Sequence, residues 1–379
     1  MSQNTPRILH LHATFDAGPK EMRCVRLINQ WGGEAQHAIV SNDLARRGAA
    51  HAISPKVKIS WPKFPPLAGR PTPGRLKTIA AAMAGYDLIC TYDWGAIDAV
   101  MAHTLFADVH ALPPLVHHED DLGDQEAVRL KTGRTWYRRI ALGRTAALVV
   151  PSKRLERIAL EVWQQPRARV QRIASGIDTR NYSAPAARDI LPGLIKRKGE
   201  YWLGAVAALQ EEANLDILVR AMRRLPPDWQ LVILGDGPER QNLLDLAVEK
   251  GVEDRVHLPG SIARHEKLIG LFDIFALPSG TENFPLAVVE AMAAGLPVVA
   301  PRTGDVAEML STDNGPLLSV PDNRDALHDI LFDITGRPQD RKRIGHANRD
   351  KARAEYDALR MTERYRSLYW GLMDRNRTS

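Results

Sequence analysis

The stretch Ser279-Gly280-Thr281-Glu282-Asn283-Phe284-Pro285-Leu286-Ala287-Val288-Val289-Glu290-Ala291-Met292-Ala293-Ala294-Gly295-Leu296-Pro297-Val298-Val299 decides how this chain is read. An apolar strand over 274–277 precedes it, and a second strand occupies 297–300. Between them a turn-like loop enters a helix of small residues that ends at Gly295. Strand, loop, helix and strand in this order place a helix N-terminus at the carboxyl edge of a parallel sheet, where free backbone N–H groups meet an anion. Glu282 and Glu290 are eight positions apart. Eight residues span just over two helical turns, so such a step keeps two side chains roughly on one face. Glu282 is assigned to the loop and Glu290 to the helix, both aimed at one ligand. Carboxylates accept hydrogen bonds from vicinal hydroxyls, as on a ribose or a hexose. The plain alternative is a buried βαβ unit with two surface acids. The spaced acids, the loop and the Gly-x-Pro strand entry coincide against it.

These residues resemble the signature of retaining glycosyltransferase family 4: Glu, seven residues, Glu, then Ala-Met-Ala-x-Gly-x-Pro-Val. The resemblance implies an α/β chain of the GT-B fold, with two Rossmann-like doubly wound domains facing a central cleft. It implies a nucleotide-diphosphate sugar as donor substrate, with neither metal nor cofactor. Glu290 would bind the ribose and Glu282 the hydroxyls of the donor sugar, as the catalytic carboxylate. Backbone at Asn283, Phe284, Pro285 and Leu286 would meet sugar or phosphate, although Pro285 has no N–H to donate. Gly235-Asp236-Gly237-Pro238 follows a strand and opens a helix, so Gly235 and Gly237 are candidates for close backbone approach to the ligand. The strand end Val256-His257-Leu258-Pro259-Gly260 would put Gly260 and Ile262 beside the base. His118 would contact the sugar from the first domain, with His117 competing for that role. The run His117-His118-Glu119-Asp120-Asp121 also has the residue types of a metal site. Adjacent residues at a strand end point in opposite directions, which argues against one.

Three places depart from the family pattern. Its second domain opens with Gly-Arg-Leu and, a few residues on, Lys-Gly or Lys-Asn, the cations that hold the diphosphate. Here the stretch reads Val206-Ala207-Ala208-Leu209-Gln210-Glu211-Glu212-Ala213-Asn214. Ala208 stands at the Arg position and Ala213 at the Lys position. Each lost charge-assisted bond is worth about 1.5–3 kcal/mol. In the first domain, Phe15-Asp16-Ala17-Gly18-Pro19-Lys20 replaces a loop with two glycines. Pro19 removes an N–H and restricts Gly18, and Lys20 is the charge offered instead. The third is mild: Ser175 precedes Gly176 where the family often has Asn.

The chain has 379 residues, long for one core and suited to two domains. Charge divides it unevenly. Residues 1–190 carry 26 Lys+Arg and 17 Asp+Glu, a net of +9, which leaves −3 for residues 191–379. A basic front half suits an acidic partner, such as anionic membrane or a phosphate-bearing acceptor. The segment around Lys131, Arg134, Trp136, Arg138, Arg139 and Arg144 reads either as a helix on lipid headgroups or as a solvated helix whose Trp136 and Ile140 pack inward. No RNA- or DNA-binding module accompanies it. The loop Trp61-Pro62-Lys63-Phe64-Pro65-Pro66 either touches a partner or covers the first sheet. Cys24 and Cys90 are expected as free thiols. The polar start shows no signal peptide, so the expected location is cytoplasmic, peripheral at the inner face of the membrane.

Strands are expected over 8–12, 38–41, 87–91, 115–118, 146–151 and 170–174, alternating with helices over 20–31, 75–86, 96–106, 126–142 and 152–164. The Pro- and Gly-bearing segment 184–199 reads as a linker. Alternation resumes with strands over 201–209, 230–234, 256–259, 274–277, 297–300 and 316–320. The expected domains are 1–186 on the acceptor side, 187–355 on the donor side and a terminal helix, 356–379, whose apolar stripe packs either on its own domain or, as the resemblance implies, back on the first. A glycosyltransferase of reduced activity is the leading expectation, with a lipid-linked or polysaccharide acceptor. A non-catalytic sugar-nucleotide-binding or scaffold protein is the rival. A nucleotide-sugar epimerase is a third reading, whose close relatives lack the 282–295 pattern in this form.

Overall fold

Strand–helix alternation gives two parallel sheets in a computed structural model that describes residues 5–122, 126, 129–182, 187, 191, 193–262, 264–280 and 284–378. One compact unit comprises Met1–Ser175 and Met361–Ser379, the other Gly176–Arg360. Strands of the first are β1 (Arg7–His12), β2 (Gln36–Ser41), β3 (Ile59–Ser60), β4 (Leu88–Tyr92), β5 (Leu115–His118), β6 (Ala147–Val150) and β7 (Val170–Arg172). Its helices are α1 (Pro19–Trp31), α2 (Pro73–Ala82), α3 (Ile97–His110), α4 (Thr132–Ala141) and α5 (Lys153–Arg157). The sheet order is β3-β2-β1-β4-β5-β6-β7. Side chains alternate across it: Leu9, Leu11 and Ile89 enter the core beneath α2 and α3, while Ile8, Leu88 and Cys90 enter the core beneath α1.

The second unit has β8 (Tyr201–Val206), β9 (Trp229–Leu234), β10 (Val256–Gly260), β11 (Ile274–Ala276), β12 (Val298–Pro301) and β13 (Leu318–Ser319), in the order β10-β9-β8-β11-β12-β13. Its helices are α6 (Asp216–Ala221), α7 (Arg240–Lys250), α8 (Leu286–Ala294), α9 (Val306–Met309), α10 (Arg324–Thr335) and α11 (Pro338–Glu355). The last helix, α12 (Ala358–Thr378), belongs to the first unit from Met361 onward. There Met361, Tyr365, Tyr369, Leu372 and Met373 join the core beneath α1. Leu359, part of the expected stripe, is exposed, and Tyr356 packs on Phe284 of the second unit. Both sheets and their strand spans follow the alternation read from the sequence. Two-residue β3 and four-residue α9 are too short to show a period.

The unit boundaries differ from the expected 186/187 and 355/356. Ile177 N–H donates to the Tyr356 carbonyl (3.0 Å), and Ala358 N–H donates to the Ile177 carbonyl (2.8 Å). Thr179 Oγ1 donates to Asp357 Oδ2 (2.6 Å). These bonds tie the turn after Ser175 to the end of the second unit. Most of the expected linker's first half lies outside the described residues. Cys24 and Cys90 are buried free thiols. Trp61 lies edge-on to Phe15 and under the Arg47 guanidinium, so this loop covers the first sheet. Among the described residues, no helix is long and apolar enough to cross a membrane.

Candidate functional site

In the second sheet the chain builds outward from β8 to β10, then returns to place β11 against β8. That reversal is a switch point, where the loops leaving two neighbouring strands diverge and open a crevice at their carboxyl ends. The loop after β8 holds Ala208 and Ala213. The loop after β11 leads into α8. Glu282 and Asn283 lie outside the described residues. Pro285 caps α8 in extended conformation, and Gly295 ends it at φ 80°, a left-handed position that glycine occupies without strain. Leu286 and Ala287 supply the first N–H groups of the helix, ahead of any intrahelical partner. Phe284 is half-buried, edge-on to Tyr356.

Glu290 projects from α8 and keeps 14% of its side-chain surface open. Its two oxygens are held separately. Tyr182 Oη donates to Oε1 (3.0 Å), and His265 Nε2 donates to Oε2 (3.0 Å). His265 lies in a 3-10 turn just after β10, beyond Gly260 and Ile262. Its pKa is raised, first by the Glu290 bond; burial opposes this, and a backbone hydrogen bond to Ile262 adds to it. Residues expected at the base and at the ribose are therefore linked through one imidazole.

The loop after β8 carries no cation. Ala208 is exposed, Ala213 is half-buried against the apolar core, and Glu211 and Glu212 are exposed between them. Gly235 and Gly237 lie close against the backbone of the β8 loop. A Cβ at Gly235 would overlap the Ala207 carbonyl oxygen, and one at Gly237 the Leu209 carbonyl. Leu209 N–H donates to the Asp236 carbonyl (3.1 Å). Both glycines admit the chain's own β8 loop, rather than leaving room for a ligand on that side. Gly260, at φ 89°, has open space where a Cβ would stand.

The first sheet reverses between β1 and β4, and charge gathers at that edge. Lys20, in the first turn of α1, pairs with Asp93 beyond β4 at 2.5 Å. Burial lowers the Lys20 pKa, and the Asp93 carboxylate more than restores it. Burial pushes Asp93 up to about 7, with Asp120 adding to the rise. Arg23 pairs with Asp120, its Nη2 donating to Oδ2 at 2.7 Å. Gly18 N–H donates to the Asp16 carbonyl (2.7 Å), so the Gly18 donor is used locally.

His118 has both ring nitrogens bonded within the first unit. It is buried, its Nδ1 donates to the Thr91 carbonyl (3.0 Å), and its Nε2 accepts from Tyr369 Oη (2.8 Å). Burial and then Arg23 push its pKa down to about 3, leaving a neutral ring that joins β5 to α12. His117 and Glu119 point to the opposite face, as neighbours on a strand must. His117 Nε2 meets Glu119 Oε2 (2.9 Å), and Arg138 Nη2 donates to Glu119 Oε1 (2.6 Å). Arg138 Nη1 also donates to Glu126 (2.8 Å). Burial would raise the Glu119 pKa; the His117 and Arg138 contacts outweigh it and hold the carboxyl below its ordinary range. Strand alternation thus splits the acid–histidine run between two faces.

Residues 188–351 match the family description "Glycosyl transferases group 1". That segment is thus similar to the glycosyl transferases of group 1. N-acetyl-alpha-D-glucosaminyl L-malate synthase of Bacillus anthracis is 24% identical over 212 residues, 55% of each chain. GDP-mannose-dependent alpha-(1-6)-phosphatidylinositol monomannoside mannosyltransferase of Mycobacterium tuberculosis is 30% identical over 221 residues, 54% of this chain and 57% of the relative. The chain thus spans about half the length of these curated relatives. Among solved structures, Anabaena HepE in complex with UDP superposes with a TM-score of 0.77 at 20% identity, over 95% of this chain and 98% of that one. Sucrose-phosphate synthase of Thermosynechococcus elongatus gives 0.73 at 20%, over 96% and 100%. These similarities establish the GT-B fold.

Within the matched segment, Glu290 lies on α8. Tyr182 precedes the matched segment, and His265 sits in no motif, so neither was singled out from the sequence. Asp93 escaped as well; its φ of 51° puts a residue with a Cβ in backbone space that favours glycine.

Proposed function

We propose that this chain is a retaining, metal-independent glycosyltransferase, of the hexosyltransferase type, acting without a cofactor. It moves a sugar from a nucleotide-diphosphate donor to a lipid-linked or polysaccharide acceptor. The observation that carries this reading is Glu290 on α8, beside the β8/β11 switch point and inside the matched segment, with both oxygens fixed and part of its surface open. Structural neighbours crystallised with UDP and UDP-glucose support the donor class. The Glu290 carboxylate accepts the ribose hydroxyls. Glu282 accepts hydroxyls of the donor sugar. The N–H groups of Leu286 and Ala287 meet the leaving diphosphate as its charge grows.

No enzymic nucleophile stands out, so the acceptor oxygen attacks the anomeric carbon on the face from which the phosphate leaves. The carbon–phosphate-oxygen bond breaks, the new glycosidic bond forms, and the acceptor proton passes to the departing phosphate. Product stereochemistry by NMR tests this: a retained anomeric configuration is expected, and an inverted product overturns the mechanism. The first unit takes the acceptor, at the cytoplasmic face of a membrane. Exposed Trp136 and Ile140, one helical turn apart on α4, support peripheral contact there.

Ala208, Ala213, Glu211 and Glu212 favour one second reading, a protein that binds sugar nucleotides with little or no transfer. Calorimetry with UDP-, GDP- and ADP-sugars, run beside a turnover assay, separates the two. Saturable binding with no product in any pairing would favour the second.

A further inference from the structure

We propose that Tyr182 and His265 are the positioning residues of the ribose carboxylate, and that donor affinity follows the protonation of His265. The inference rests on the reading of Glu290 given above and extends it to two residues that the family signature does not contain. Three separate elements meet at Glu290. The turn Thr179–Tyr182 brings a phenol, the turn His265–Lys267 an imidazole, and α8 the carboxylate itself.

A carboxylate offers two oxygens and about four lone-pair directions. Tyr182 takes one direction on Oε1 at 3.0 Å, and His265 takes one on Oε2 at 3.0 Å. One direction is left on each oxygen, which matches the two hydroxyls of a vicinal diol. A single rotatable glutamate would otherwise lose side-chain freedom on binding. Here the two donors have fixed it beforehand, so ligand binding meets an ordered acceptor pair.

His265 lies between two acceptors, the Glu290 carboxylate and the Ile262 backbone, an arrangement that suits the imidazolium, which donates from both nitrogens. The ring keeps 34% of its side-chain surface, so it exchanges protons with solvent. Charged groups acting on it are Glu290 from α8 and Glu266 from its own turn, while Tyr182, on the turn that also carries Arg180, meets it through Glu290. Arg180 is already paired with Asp178 at 2.9 Å, and Glu266 with Arg264 at 3.3 Å. Glu290 is the partner bonded to the ring, and it raises the His265 pKa above its ordinary value. The sign follows. The imidazolium holds Glu290 and adds positive charge beside an anionic donor below that pKa. Both contributions fade as pH rises through it.

The test is calorimetric binding of UDP-glucose and GDP-mannose, whose diphosphates are diesters that do not titrate near neutrality, at about pH 6.5 and about pH 8.5. Wild-type protein is compared with Tyr182→Phe, His265→Gln and Glu290→Gln. For whichever donor binds, affinity should fall about three- to tenfold from the lower pH to the higher. Tyr182→Phe should weaken binding about three- to tenfold at both pH values. His265→Gln keeps a donor but no titration, so its affinity should match the wild type's high-pH value at both. Affinity that rises with pH, or His265→Gln that retains the wild-type pH dependence, overturns the inference. So does a Tyr182→Phe variant that binds like the wild type. If Glu290→Gln itself binds both donors as well as the wild type, the underlying reading of Glu290 fails instead. Circular dichroism on each variant separates loss of fold from loss of positioning.

Discussion

On the proposed reading, Ala208 and Ala213 take the places of two diphosphate-holding cations, and they are not equivalent. Ala208 is exposed on the β8 loop, so an arginine there extends freely; Ala213 is half-buried against the core, so a lysine must lay its stem along apolar surface before its ammonium reaches water. Ala208→Arg with Ala213→Lys should therefore strengthen donor binding about tenfold or more, with a larger gain in turnover, because leaving-group charge grows in the transition state. Ala208→Arg alone should recover more than Ala213→Lys alone, and less than the pair. Binding isotherms and steady-state rates on the three variants decide it. If none differs from the wild type, these positions do not face the donor. A second residue-scale expectation concerns stability. Arg138 is fully buried with Glu119 and Glu126, both also buried. Arg138→Leu takes the shared guanidinium from both carboxylates, leaving Glu119 with His117 and Glu126 with Arg134 at 3.4 Å, and should cost about 3–5 kcal/mol. A denaturant midpoint unchanged by that substitution would mean the ion triad contributes nothing.

Helix α4 shows how much of an element a sequence reveals. The run of basic residues suggested a helix on anionic lipid, yet most of those charges have partners. Arg138 turns inward, Arg139 Nε donates to the Val162 carbonyl, and Arg144 grips Asp108 through two bonds. Arg134 bonds Glu126 and lies over Trp94. Trp136, expected to pack inward under the solvated-helix reading, is 57% exposed, and Ile140 is 55% exposed. The proposed membrane contact through α4 would thus lean on apolar side chains more than on charge. Sedimentation with anionic vesicles should fall by about half or more for Trp136→Ala with Ile140→Ser. Equal pelleting of wild type and variant would assign those side chains another role. The strands were legible because a parallel sheet buried on both faces needs apolar runs, and the α8 signature was legible because its acids are fixed by spacing. The orientation of His118 was not. Which face a strand residue takes depends on register, and nothing in the run 117–121 says that Tyr369, far along the chain, will claim its ring. Tyr182 and His265 were hidden for the same reason: each lies on a short turn, and only the fold brings them to Glu290.

The first unit places four neutral histidines, His10, His12, His37 and His118, around its sheet. Burial lowers the pKa of each, to about 4 for His37 and about 3 for His118. Folded values below the unfolded one, about 6.5, mean stability that is present above pH 6.5 and lost as pH falls toward the folded values, by about 1.4 kcal/mol per pH unit for each ring. Asp93, raised to about 7, works the other way between its unfolded value and pH 7. The histidines outnumber it, so lowering the pH from about 7.5 to about 5.5 should remove on the order of 3 kcal/mol, read as a lower Tm. A Tm that holds or rises over that interval would contradict the neutral assignments. For the molecule as a whole, the central proposal is a glycosyltransferase whose second unit binds a nucleotide-diphosphate sugar through Glu290. Titration calorimetry of the intact chain with a panel of UDP-, GDP- and ADP-sugars, wild type beside Glu290→Gln, addresses that claim most directly. Saturable binding of at least one donor, weakened about tenfold or more by Glu290→Gln, is the result expected; no saturable binding of any donor, or binding indifferent to Glu290→Gln, would contradict it.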